Sequence, residues 1–155
     1  MNQAHCNQDR QPIIPGSKTN HISGFRDIMT TFAEVIGIKK PSHNQGISFL
    51  PTLLNQKQKK HEFLNWEFQL SGSFQELPEG GFRQSVRLGD FKALRYGINS
   101  KTEVYNLKED ESETIDIANL HPKIVEKAEQ IFLSERSDTF GFPYGGVVQD
   151  FIPEN

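Results

Sequence analysis

The stretch QSVRLGDFKALRYGINSKTEVYNLKEDESETIDIA, residues 84–118 of the 155-residue chain, decides the predicted fold. Val86 and Leu88 alternate with polar neighbours, which is the period of a β-strand. The pair Gly89-Asp90 then predicts a hairpin turn, because Gly tolerates positive φ and Asp bonds its own backbone. The stretch therefore predicts three strands, at about 83–88, 91–98 and 102–107.

Two amphipathic helices flank these strands in the sequence. The first is predicted over 23–36, where Ser23 can cap the start and Gly37 can close the end. The second is predicted over 122–136, with Pro122 at its first position. The apolar side chains of the first helix share one wide face that needs a covering surface; they are Phe25, Ile28, Met29, Phe32, Val35 and Ile36.

A further strand is predicted from His61, because Leu64, Trp66 and Phe68 alternate with polar residues. The sum is an α+β fold: a four-stranded antiparallel sheet with a C-terminal helix packed on one face, preceded by a helix and a connector. We expect a poorly ordered segment at 1–22, the helix and connector at 23–60, and a subdomain at 61–155 whose tail from residue 137 wraps the surface.

Composition argues against several classes of function. The formal net charge is −3 at pH 7, so the sequence gives no electrostatic reason to expect binding to nucleic acid or to an anionic membrane. No apolar run approaches the roughly 20 residues of a membrane span. The polar N-terminus has no apolar segment of the kind found in a secretory signal. A single cysteine, Cys6, excludes an internal disulfide.

Several segments, in order along the chain, resemble the type I sulfatases, the arylsulfatase-like enzymes of the alkaline-phosphatase superfamily. Their motifs AVR-x-GDWK and ELYDL-x-x-DPxE-x-x-NLA-x-x-P correspond to residues 84–93 and 103–122. Weaker matches are R-x-P at 10–12, D-x-x-PT at 27–31, with Thr30 in place of Pro, and DG-x-S-x-x-P-x-L at 46–54. Family members are several hundred residues long, with their chemistry before the matched region. The resemblance therefore implies the end of the large domain and the C-terminal subdomain.

The resemblance also says which chemistry to look for. Members of the family use a formylglycine, made from the Cys or Ser of a C/S-x-P-x-R motif, and a divalent cation, usually calcium. Cys6 and Arg10 have the motif's spacing, but Gln8 replaces its Pro. The five histidines lack metal-ligand spacing, and the acidic run at 109–113 lacks the pattern of a calcium loop, which favours a solvated turn. We predict no catalytic residue, no metal site and no cofactor in this chain.

Candidate substrate contacts are His61, Asn65 and Glu67, at the start and on the more polar face of the strand that follows residue 60. In the family the small subdomain borders the catalytic cleft, which implies that this strand can touch substrate. The alternative is structural. Trp66 would then be core against the final helix, which we prefer, and Glu67 would pair across the sheet with Arg83, Arg87 or Arg95.

The function implied by the resemblance is that of a C-terminal fragment of a sulfatase, from a sulfuric ester hydrolase family that acts on sulfated sugars. Alone, such a fragment would border the cleft and be inactive. The alternative is a free-standing module that binds a sulfated glycan or a protein partner. For the apolar face of the helix at 23–36 we expect either a homodimer or cover by the missing large domain. The family is often periplasmic, secreted or lysosomal, and the sequence leaves the compartment open.

Overall fold

The computed structural model describes residues 13–69 and 81–136. The chain divides into two compact units, Met1–His61 and Glu62–Asn155. Cys6, most of the predicted loop at 71–81 and the predicted tail at 137–155 lie outside the described residues. Within the described ranges, no helix has the length and apolar character that crossing a bilayer requires.

The first unit contains helix α1 (Arg26–Ile36) and the single-turn helix α2 (Leu50–Leu53). Helix α1 begins later than predicted, and no side chain caps its backbone start, so the predicted cap at Ser23 is wrong. Gly37 ends the helix with φ 75°, as predicted, because glycine adopts the left-handed conformation without steric cost.

The second unit contains the predicted antiparallel sheet, with its strands in the order β1-β2-β3-β4. The strands are β1 (Leu64–Gln69), β2 (Phe82–Leu88), β3 (Phe91–Arg95) and β4 (Glu103–Asn106). Strands β2 and β3 form the hairpin that the Gly-Asp pair predicts, with φ 61° at Gly89. A short 3-10 turn (Ala118–Leu120) leads into helix α3 (Pro122–Ser134). The α+β fold class is confirmed.

Helix α3 covers one face of the sheet and forms the core with it. Proline occupies the first position of α3, as predicted. The buried cluster comprises Val86, Ala93, Val104, Ala118, Ala128, Ile131 and Phe132. Because successive residues of a strand point to opposite faces, Ser85, Arg87 and Lys92 lie on the face away from α3.

The aromatic side chains of strand β1 lie on the opposite face of the sheet from the one predicted for Trp66. Trp66 pairs with Ser85 and Phe68 pairs with Arg83, so both aromatic side chains lie on the face away from α3. Trp66 remains 45% exposed and Phe68 59% exposed. The prediction that Trp66 is core against the final helix is therefore wrong. The pairing register decides the face, and the alternation within β1 alone does not contain that register.

Candidate functional site

The carboxylate of Asp27 is the organising group of the first unit. Asp27 is 0% exposed. Its Oδ2 accepts a hydrogen bond from the backbone N–H of Gly24 at 2.7 Å, and its Oδ1 accepts one from Ile47 at 2.8 Å. The Nε2 atom of His61 lies 2.9 Å from both carboxylate oxygens. Burial disfavours the charge, but these hydrogen bonds outweigh burial and hold the pKa of Asp27 below its ordinary value.

The same turn of α1 binds the connector through a threonine. Thr31 Oγ1 donates to the backbone carbonyl of Asp27 at 2.8 Å and accepts from the backbone N–H of Phe49 at 3.1 Å. Both sulfatase-like segments of this unit, residues 27–31 and 46–54, are thus joined by hydrogen bonds. In this chain the two motifs therefore hold the connector against α1.

A close approach of two backbones explains the glycine of the second motif. A Cβ atom on Gly46 would lie 2.2 Å from the carbonyl oxygen of Arg26, so no larger residue fits without moving the backbone. Asn44 Oδ1 accepts from the backbone N–H of Gly46 at 2.6 Å and from Thr30 Oγ1 at 3.1 Å. Asn44 thereby also holds the connector close to the start of α1.

The predicted substrate contacts all make hydrogen bonds within the protein. His61 belongs to the first unit, where its ring contacts Asp27. Asn65 and Glu67 belong to the second unit and share the α3 side of β1, since they pair with core-facing residues of β2. Asn65 Nδ2 donates to the backbone carbonyl of Glu135 at 3.1 Å. Substrate binding by these three residues stays a prediction.

Glu67 takes part in a buried polar network at the end of α3. Its carboxylate accepts from Gln84 Nε2 and from Arg136 Nε, the latter at 3.0 Å. Gln84 Oε1 in turn accepts from Arg95 Nε at 2.7 Å. The guanidinium carbon of Arg95 lies 4.9 Å from the ring centre of Phe132, a cation–π distance. The ion-pair partner of Glu67 is thus Arg136, and Arg95 meets Gln84 instead of forming the predicted pair.

The two other predicted partners of Glu67, Arg83 and Arg87, lie on the open face of the sheet, the face away from α3. This face carries a shallow cavity of about 410 Å³. Its lining is Trp66, Ser85, Arg87, Lys92, Leu107 and Glu113. Sequence reasoning assigned Trp66 to the opposite face and so missed this cavity. The pairing of Trp66 with Ser85 would have revealed it.

Charges in the open-face cavity are only partly neutralised. Lys92 Nζ pairs with Glu113 at 2.6 Å, whereas Arg87 uses its Nε on the carbonyl of Gly89 at 3.0 Å. Ser85 Oγ is buried, and no hydrogen-bond partner for it is found in the described part of the chain. An exposed indole beside a guanidinium and a spare hydroxyl suits a polar ring that carries an anionic group.

The acidic turn after β4 uses its carboxylates on backbone groups. Asp116 Oδ1 accepts from Val104 N at 3.0 Å and from Ala118 N at 2.9 Å. Asp110 Oδ2 accepts from Ile115 N at 2.9 Å, and this bond lowers the pKa of Asp110. These carboxylates hold the turn and the edge of the sheet together. Among residues 13–69 and 81–136, no three His, Cys, Asp or Glu side chains are grouped to hold a metal ion.

Comparison with known proteins finds sulfatases that are similar to this chain. No family model matches the chain. An uncharacterised sulfatase of Schizosaccharomyces pombe is 26% identical over 93% of this chain and 26% of its own length. The Δ4,5-hexuronate-2-O-sulfatase of Bacteroides thetaiotaomicron is 30% identical over 59% of this chain and 18% of its own length. The chain is similar in sequence to a part of these sulfatases.

The chain spans about a quarter or less of the length of those curated relatives. The solved structure of a 2-O glycosaminoglycan sulfatase matches it with a TM-score of 0.58 and 26% identity, over 68% of this chain and 22% of that one. These partial matches are consistent with a C-terminal sulfatase region. The resemblance predicted from the ordered motifs is confirmed.

Proposed function

We propose that this chain is a non-catalytic module that completes a sulfatase and closes one side of its substrate cleft. The formylglycine and the divalent cation then belong to the larger catalytic part, since the sequence has no C/S-x-P-x-R motif. One relative is a hexuronate sulfatase and one structural neighbour is a glycosaminoglycan sulfatase. We therefore assign sulfated sugars as the substrate class of the complete enzyme.

The observation that carries this proposal is the exposed apolar face of α1. Phe25 is 87% exposed, Met29 54%, Phe32 63% and Ile36 67%. An amphipathic helix on a free-standing domain normally buries such a face. A contiguous exposed apolar patch marks an interaction surface. We assign the larger part of a sulfatase as the surface that covers this face, because one curated relative is about four times as long as the region it matches.

The experiment measures the association of the chain by light scattering over a range of concentrations. Without a catalytic part, the α1 face is expected to pair with a second copy, which gives a concentration-dependent dimer. A buried charge opposes association, so Phe32→Glu is expected to weaken the dimer about tenfold or more. The control is Lys39→Glu, an exposed position beyond the end of α1. A native chain that stays monomeric at high concentration contradicts the assignment of the α1 face as an interaction surface.

A second candidate function is favoured by the open-face cavity alone. In this alternative the chain is a free-standing module that binds a sulfated glycan. The exposed indole of Trp66 would stack on a sugar ring, and the guanidinium of Arg87 would bind a sulfate. The two functions need different surfaces, so variants of one surface leave the other intact.

A further inference from the structure

The first unit contains a second cavity, of about 590 Å³, away from the Asp27 carboxylate and its partners. One wall is the irregular segment 14–21, and the other is the end of α2 with the residues that follow, 52–60. Its volume lies in the range of roughly 300–1,000 Å³ that is usual for small-ligand pockets. Only Thr52 and Leu53 of its lining belong to a sulfatase-like motif, and none of its lining belongs to the open face of the sheet.

The charged side chains that line this cavity are all positive. Lys18, Lys60 and His21 line it, and no Asp or Glu is among its lining residues. Neither ammonium group donates a hydrogen bond or forms an ion pair within the described residues. His21 Nε2 is buried and likewise finds no partner there. The two ammonium groups and the buried ring nitrogen can therefore donate to an acceptor placed in this cavity.

Hydrogen bonds fix the wall that follows α2. Gln58 Oε1 accepts from both the backbone N–H and the Oγ1 of Thr52, at 3.1 and 2.9 Å. Gln58 Nε2 donates to the carbonyl of Ser48 at 2.9 Å. Asn55, which lines the cavity, has φ 54°, a left-handed conformation that Asn tolerates better than most residues. The position of this wall therefore does not depend on a ligand.

Two short-range hydrogen bonds lie within the wall formed by residues 14–21. The backbone N–H of His21 donates to Thr19 Oγ1 at 3.0 Å, and the N–H of Ser17 donates to the carbonyl of Ile14 at 3.2 Å. Apart from Ile14, Leu53 and the basic residues, the lining residues carry hydroxyl or amide side chains. Such groups bond equally well to ligand hydroxyls and to ligand oxygens.

From these observations we infer that the cavity between residues 14–21 and 52–60 binds a small polar ligand through an oxyanion, of the sulfate or phosphate class. Lys18 and Lys60 supply the positive charge, and His21 supplies a directed hydrogen bond to an anion oxygen. This site does not depend on the proposed function. A chain that has no sulfatase partner would bind the same anion.

The test is a titration of the ¹⁵N-labelled full chain with sodium sulfate and, separately, with sodium phosphate, against sodium chloride at equal ionic strength. We expect saturable amide shifts confined to residues 14–21 and 52–60. Lys60→Met is expected to weaken binding about fivefold, the upper end for one exposed charge. Lys57→Met is the matched control, because Lys57 is equally exposed, lies three positions away and does not line the cavity.

Specific outcomes decide the inference. Saturation by sulfate alone or by phosphate alone supports it and identifies the preferred anion. His21→Gln, which retains a donor, is expected to bind better than His21→Ala. Equal shifts with chloride, an equal loss in Lys57→Met, or no saturation by either oxyanion would overturn it.

Discussion

Asp27 holds three parts of the first unit together through one carboxylate. It accepts hydrogen bonds from the start of α1 and from the connector, and it contacts the ring of His61. Asp116 does the same in the second unit, where it accepts from the backbone of Val104 and Ala118. Both residues belong to the sulfatase-like motifs. In this part of the chain those motifs are therefore explained by backbone hydrogen bonding, which a carboxylate satisfies better than any neutral side chain.

Stability at low pH tests the role of Asp27. Its folded pKa is lowered, so the stabilisation by its charge is fully present above the unfolded value of about 3.9 and is lost as the pH falls through the folded pKa. We expect Asp27→Asn to lower the free energy of unfolding by about 3 kcal/mol at pH 7, because it leaves buried donors unpaired. The difference from the native chain should shrink below about pH 4.

The measurement is urea unfolding followed by far-ultraviolet circular dichroism at pH 7 and at pH 3. Asp90→Asn is the matched control, because Asp90 is an exposed carboxylate in the hairpin turn. Asp110 and Asp116 also have lowered pKa values, so the native chain loses stability in acid through several groups. The difference in unfolding free energy between the native chain and Asp27→Asn isolates the contribution of Asp27. A loss in Asp27→Asn no larger than in Asp90→Asn would contradict the role described here.

At the scale of the element, α1 separates what periodicity can predict from what it cannot. The spacing correctly predicted that Phe25, Met29, Phe32 and Ile36 share a face. The side chains that α1 buries lie elsewhere on the helix, and they are Asp27, Thr30, Thr31 and Ala33. The helical period of 3.6 residues assigns side chains to faces of the helix. Which face is buried depends on the segment that packs against it. In this chain, hydrogen bonds to the connector select the polar face.

Strand β1 shows the same limit for a sheet. Its alternation was predictable, and so was the β2–β3 hairpin, since a two-residue turn fixes its own register. The register between β1 and β2 has no such local signal, because a longer connection separates them. Trp66 was therefore assigned to the wrong face. Because the open-face cavity depends on the face that Trp66 occupies, it could not be predicted.

The open face of β1 can be tested with the single tryptophan of the chain. If the sheet binds a sulfated glycan, titration with a sulfated disaccharide should shift or quench the emission of Trp66, which is half exposed. Arg87→Gln should weaken binding about tenfold, because it removes a charge-assisted hydrogen bond. Lys108→Gln is the control, since Lys108 is exposed and does not line the cavity. Unchanged emission at millimolar disaccharide would rule out this function.

At the scale of the molecule, the fold was predictable from strand alternation, helical periodicity and one turn signal, and the resemblance to sulfatases was predictable from several ordered motifs. The α+β class and the sulfatase relationship agree with the structure and with the comparisons. The cavities were not predictable, because they depend on which distant segments meet. Within its described residues, the chain exposes two surfaces that we propose for partners: the apolar face of α1 and the open face of the sheet.

The most direct test of the proposed non-catalytic role is the hydrolysis of sulfate esters by the purified chain. The assay uses 4-nitrophenyl sulfate and a sulfated disaccharide with added calcium, with a complete sulfatase as the positive control. The account predicts no turnover above that of the Cys6→Ala variant, because the sequence lacks the motif from which the formylglycine is made. Turnover by the native chain that is lost in Cys6→Ala would contradict the claim that the module is non-catalytic.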